Sequence, residues 1–498
     1  MEYTSSFAIS QTLRDDAPLE FCDWCNESYV PPALVGYFDS VEQLDSNVVD
    51  ELIAAVGKIT DDKKRLLKLQ LWDAMDIYAK MRKPELKKEL ELLIVELNEL
   101  YLDNPCASVK IESKEKRRKW LTKKINSLDT LASRVASCCS FFVMGVWQNK
   151  ITGKQLKKIV RAKTCKNRLC PNCNARKAFN TSWLTLAQVV SMVDNGFATC
   201  GIAGKKKKIE FKKGVATSFL TLTVENPKLA DVNATFKKMR KALSVMFSNS
   251  TNSKKSALRN DWIRKNILGA LCCLEWFGDK TPQGEAHLHF HILLVHDGAL
   301  PYSKNKNYVE TIFRRAWATA LGRDGEWFSV EWHATKSYER ALKETAKNGV
   351  YVELEKFQNV PDKNLKALFA MVLEVAKYAV TQAALEKISS NNIALLYGQT
   401  EYCRQVEKFG VFRGFEFPDG ETKEKIWERV FEDYENLDDS NLWALKAYVK
   451  FYWSYFANKY KAEFVDDFHA TLKPAPELEL PDAPEKLPAE ESFDVPLG

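Results

Sequence analysis

At 498 residues the chain is too long for one compact core, so two or three domains are expected. With 45% hydrophobic, 11% aromatic and 28% charged residues it can bury substantial cores. The opening MEYTSSFAIS has no basic stretch followed by an apolar one, and no apolar run approaches the roughly 20 residues of a membrane span. A cytoplasmic protein without signal peptide or membrane partner is therefore expected, and its twelve cysteines read as free thiols and metal ligands rather than disulfides. The net charge of +7 is unevenly spread. From Lys150 to Lys265 there are 26 Lys and Arg against five acids, whereas Lys473 to Gly498 holds two Lys against seven acids. The basic window is the footprint of a polyanion partner.

In chain order, residues 1–130 read as mainly helical, with apolar positions three and four apart from Val48 to Leu102. Cys22 and Cys25 form a lone CxxC that cannot complete a tetrahedral site. RVASCCSFFVMGVW, from Arg134, reads as a strand, and Asn174 to Asp194 as a helix. The run Lys205 to Lys208 reads as a loop, Ala216 to Val224 as a strand and Asp231 to Phe247 as a basic helix. Strands then follow at Leu268 to Phe277 and Ala286 to Val295, a helix at Tyr308 to Leu321 and a strand at Trp327 to Trp332. After a helix at Ser337 to Ala346 and a strand at Gly349 to Leu354 comes a long helix, Asp362 to Leu385. The pattern predicts an α+β fold with a mainly antiparallel sheet. Asn441 to Phe464, with Trp443, Tyr448, Phe451, Tyr452 and Tyr455, reads as a last helix, and the Pro/Glu-rich 473–498 as a disordered acidic tail.

Three segments carry chemistry. Four of the six histidines fall in HLHFHILLVH, and on a strand His287, His289 and His291 share one face. Two or three imidazoles on a rigid strand can chelate a divalent ion, with Glu275 on the neighbouring strand or His287 as the further ligand. Such a set with open positions suits Mn²⁺ or Mg²⁺ acting as a Lewis acid on a phosphate. In AMVLEVAKYAVTQ, Glu374 and Tyr378 lie four apart on one helix face, where a tyrosine can attack a phosphate and a carboxylate can take a proton. Cys165, Cys170 and Cys173 form a knuckle that offers three thiolates to a structural Zn²⁺, presenting Lys166, Arg168, Arg176 and Lys177 to phosphates.

In this order the motifs resemble the HUH endonucleases, and within them the rolling-circle replication initiator proteins of small bacterial plasmids. The likeness runs through RVASC, CKNRLCPNCNARKA, FLTLTVEN, HLHFHILLV, EVAKY and RQVEKFGVFRG, from Arg134 to Gly414. It implies an HUH-like antiparallel sheet with helices on one face, His289 and His291 as metal ligands and Tyr378 as nucleophile. Glu374 matches the branch in which a glutamate activates water for the terminating cut. Cys138, in RVASC, becomes the fourth zinc ligand, with Cys139 beside it as the alternative. Where relatives carry a lysine three after the tyrosine this chain has Thr381, which leaves Lys377, another basic residue or none to meet the phosphate.

The expected organisation is a helical region of unknown role (1–130), a zinc-stapled basic segment (131–200), a nickase domain (214–400), a helical segment (401–472) and the tail (473–498). The expected function is site-specific nicking of a plasmid double-strand origin, single-stranded or hairpin at the nick, through a 5′-phosphotyrosine that leaves a 3′-OH for host helicase and DNA polymerase. The alternatives are an HUH transposase or relaxase, and a non-catalytic zinc-dependent DNA-binding regulator.

Overall fold

The computed structural model describes residues 62–103, 108–153, 155–202, 205–247, 260–276, 281–282, 284–334, 388–401, 403–430, 442–454 and 459–465, with 367–368, 370–372, 375 and 385. Three helices come first: α1 (Asp62–Asp103), α2 (Ser108–Asp129) and α3 (Leu131–Ala136). Leu93, Leu97, Leu121 and Leu128 are buried where α1 and α2 run side by side, and Leu67 and Leu71 are buried near the start of α1. The strand read from Arg134 starts only at Phe141, because α3 and a turn take its first residues; Cys139 there has a left-handed φ of 58°.

β1 (Phe141–Asn149) pairs with β2 (Gln155–Ala162) and with β10 (Trp443–Ser454), which pairs in turn with β11 (Lys459–Val465). The helix expected over Asn441 to Phe464 is thus an antiparallel hairpin in a four-stranded sheet, β11-β10-β1-β2. From Leu445 to Ser454 the sequence alternates strictly, Leu, Ala, Val, Phe, Trp against Lys, Tyr, Lys, Tyr, Ser, and that period of two prevails over the aromatic spacing.

α4 (Pro171–Asn195) starts with Pro at its first helical position and ends at Gly196, whose φ of 69° supplies the left-handed cap. β3 (Phe197–Ile202) and β4 (Lys205–Glu210) form a hairpin, so the lysine run is a strand and not a loop. Its inner end is anchored by Ala198 and Ile209 on the core, and the four exposed lysines suit a strand that pairs on one side.

The central sheet has the order β8-β5-β7-β6-β9, every pair antiparallel, from β5 (Val215–Thr223), β6 (Gly269–Glu275), β7 (His289–Asp297), β8 (Val330–His333) and β9 (Val406–Gly410). Its helices are α5 (Val232–Phe247), α6 (Asp261–Asn266), α7 (Lys306–Leu321), α8 (Ser390–Gln399) and α9 (Lys423–Val430). Alternate residues enter two cores. Leu220, Leu222, Ala270, Leu274, Phe290 and Ile292 pack with α5 and α7, whereas Phe219, Leu271, Leu293 and Val295 pack with Leu186 and Val190 of α4, Trp427 of α9, and Met371, Val372 and Val375. Helices therefore cover both faces, not one; β6 and β7 are buried along nearly their whole length because neither face is left to water.

Candidate metal centre and nucleic-acid surface

β7 is a central strand, flanked by β5 and β6. Its register sets His289 opposite Glu275 on one side and Thr223 on the other, with His291 between Cys273 and Thr221. The pleat puts His289, His291, Glu275, Thr221 and Thr223 on the face of Leu293 and Val295. All three ligand-type side chains are buried. His289 Nε2 lies 3.0 Å from His291 Nε2, and Glu275 Oε2 lies 2.9 Å and 2.8 Å from the two. Trp317 on α7 donates its indole N–H to the Thr223 carbonyl at 2.9 Å and pins this end of β5.

His289 Nδ1 lies 3.2 Å from the His287 carbonyl; in the tautomer that donates there, Nε2 is available to ligate a cation. Burial pushes the Glu275 carboxyl up, but hydrogen bonding to His289 and His291 outweighs it and holds the group well below the usual carboxylate range. One carboxylate oxygen and two imidazole nitrogens converging in this way could hold a cation. Separations of 2.8 to 3.0 Å are the adjacent edges of an octahedron with bonds of about 2.1 Å. The donor set fits a divalent ion.

His287 does not join the group. β7 begins only at His289, and the His287 backbone N–H bonds the Trp276 carbonyl, off the register of the ladder. Its Nδ1 lies 2.7 Å from Asn226 Oδ1 instead. Its ring stays 4.9 Å from that of His289. Burial, and then the neighbouring His289, lower its pKa.

The family described as "Replication protein" matches residues 156–461. This chain belongs to that family. A protein named "Protein rep" from Streptococcus pneumoniae serotype 2 (strain D39 / NCTC 7466) is 25% identical over 256 residues, 51% of this chain and 63% of its own length. Another "Protein rep", from Lentilactobacillus hilgardii, is 29% identical over 216 residues, 43% of this chain and 52% of its own. The chain thus spans between half and two thirds of these relatives. No solved structure matches.

A second group in this replication protein joins Cys138, after α3, to Cys165, Cys170 and Cys173. Cys138 Sγ is 3.6 Å from Cys170 and 3.7 Å from Cys173, and Cys165 is 3.5 Å from Cys173. Four thiolates around zinc, with bonds of about 2.3 Å, stand roughly 3.8 Å apart, so the set fits. Cys139 Sγ, 3.9 Å from Cys138, stays outside the group. Hydrogen bonding from Cys139 and the three other thiols holds Cys138 well below the usual thiol value, whereas burial raises Cys165. The cysteines belong to the core on the face opposite the histidines.

The basic residues of this segment divide. Arg168 turns inward: its guanidinium stacks 4.3 Å from the Tyr397 ring, donates to the Tyr397 carbonyl, and encloses its Nε. It is a packing residue there rather than the phosphate contact expected. Lys177 donates to Gln405 Oε1 at 2.7 Å. Lys166 is half-buried with a left-handed φ of 53°, and Arg176 lies on α4 with its side chain outside the described residues. Glu374, Lys377, Tyr378 and Thr381 lie outside the described residues, as do Cys22 and Cys25 and the elements expected between Ser337 and Leu354.

Sequence reasoning passed over two contributors. Thr221 Oγ1 stands 3.5 Å from His291 Nδ1, and Asn226 holds His287. Both fall in FLTLTVEN, where the alternation of Thr221 and Thr223 placed them on one face. Among the described residues no helix is long and apolar enough to cross a membrane.

Proposed function

We propose that this replication protein is a plasmid rolling-circle initiator that binds a double-strand origin and nicks one strand through Tyr378. The observation that carries the reading is the convergence of Glu275, His289 and His291 on central strands of a family member. The octahedral edge lengths support Mn²⁺ or Mg²⁺. A bound ion of this kind supplies Lewis-acid charge to a phosphate oxygen. Val375, three residues before Tyr378, packs with Met371 and Val372 in the core on the histidine face, which supports an approach of that helix to the ligands.

In this scheme the Tyr378 phenolate attacks phosphorus and the P–O3′ bond breaks. The strand keeps a 3′-OH for polymerase while the 5′ phosphate stays on tyrosine. Glu374, one helical turn away, takes the proton of a water in the terminating cut. The four cysteines hold a structural Zn²⁺ that fixes α4 and its preceding loop, with Lys166, Arg176, Lys177 and Lys377 as phosphate contacts. Host helicase opens the duplex and polymerase extends the 3′ end.

Mass spectrometry of the covalent adduct on a single-stranded origin oligonucleotide tests the scheme. The phosphate is expected on Tyr378; Tyr378→Phe loses the adduct and Glu374→Ala keeps it but fails to terminate. A DNA-linked peptide modified at any other residue overturns the mechanism.

A further inference from the structure

The segment entering β8 alternates as sharply as the strand itself. Phe328, Val330 and Trp332 are buried in the core shared with α5 and α7. Trp327, Ser329 and Glu331 are exposed on the other side. Ser329 continues the β5–β8 register opposite Thr223, and its carbonyl accepts the Thr223 hydroxyl at 2.7 Å. Thr223 is paired with His289. Continued past the end of the ladder, that alternation turns Trp327 away from the core at the sheet edge, beside Arg314 of α7.

Trp327 is 74% exposed, a costly position for an indole. It is nonetheless held. The Arg314 guanidinium sits 5.0 Å from its ring, and Arg314 Nε donates to the Phe328 carbonyl at 2.9 Å. Arg323 pairs with Glu225 and Glu326, and Asp324 accepts the Thr319 hydroxyl. Two strand spacings of about 4.8 Å and two residues of about 3.3 Å separate Trp327 from His289, roughly 12 Å in all. That is three to four nucleotides at the roughly 3.4 Å rise of a stacked strand. The exposed Glu331 on this face disfavours a phosphate, whereas the neutral face of a base stacks on indole regardless of sequence.

We propose that Trp327, backed by Arg314, is a stacking platform for an unpaired nucleobase of single-stranded DNA a few nucleotides from the metal centre. The placement relative to the cut rests on the nickase reading; the binding itself does not. The test uses fluorescein-labelled dT12 without added Mn²⁺ or Mg²⁺ and without chelator, where no cutting occurs, read by anisotropy with the full chain. Trp327→Ala should weaken binding by roughly 5- to 150-fold, the value of one stacked base. Trp327→Phe should recover most of it, and affinity for a duplex of the same length should stay within about twofold. A Trp327→Ala protein that binds dT12 within twofold of wild type overturns the platform. So does equal loss on duplex and single strand, which marks a general surface effect. Should dT12 binding depend on Trp327 while wild type makes no Mn²⁺-dependent nick, the nickase reading falls and the platform stands.

Discussion

Gly410 is the residue where one added methyl group has the most legible consequence. It ends β9 with φ of +57°, opposite Gly269 of β6. A Cβ there would lie 1.9 Å from the Leu268 carbonyl oxygen and 2.9 Å from Gly269 Cα. Relief needs β9 to retreat by more than about 1 Å, which breaks the Val411 N–H bond to the Leu268 carbonyl, now 3.1 Å. Val411 is fully buried, so that lost bond costs about 1–3 kcal/mol. The left-handed backbone adds about 1–2 kcal/mol for a residue with Cβ. Gly410→Ala should thus destabilise by about 2–5 kcal/mol, less the few tenths that alanine recovers by restricting the unfolded chain. Gly420 is the control, with φ of +78° and nothing within 4 Å of the point an added methyl would occupy, so Gly420→Ala carries the backbone strain alone. Urea denaturation followed by tryptophan fluorescence compares the two midpoints at equal slope. Equal destabilisation by the two variants would refute the steric argument and with it the close β6–β9 approach.

Other expectations follow from the same geometry. Glu275→Gln should lower Mn²⁺ affinity by calorimetry beyond the roughly 10–100-fold typical of outer-shell changes, and unchanged affinity would remove Glu275 from the ligand set. Purified protein should carry one zinc per chain by elemental analysis, and Cys170→Ser should lose both the zinc and solubility; zinc retained in that variant counts against the site. Replacing Lys205 and Lys207, exposed on β4, with alanine should flatten the salt dependence of duplex binding by about 0.9 per lost phosphate contact. An unaltered slope would take the β3–β4 hairpin out of the DNA footprint.

Local pattern alone determined much of this protein. HLHFHILLVH reads as a strand because its period is two and its neighbours are apolar on both sides, and Cys165, Cys170 and Cys173 announce a knuckle by spacing. Glu275 was foreseeable because two strands consecutive in sequence commonly pair, here across a 13-residue connection. The C-terminal hairpin was not. Its aromatic residues satisfy helical and strand periods alike, and the choice is made by β1, nearly 300 positions away in sequence, whose backbone groups β10 pairs. The lysine run became a strand for a similar reason: β3 offers it partners and Ile209 an anchor. His287 belonged to the motif by spacing, yet the ladder loses its register beside Trp276, and a shift of that size turns a side chain toward Asn226. Arg168 looked like a phosphate contact because charge is visible in a sequence, whereas the Tyr397 ring that receives it is brought there only by the packing of α8 against α1. What lies within one element is written in its period; what faces it is decided by backbone pairing and core packing between segments far apart in the chain.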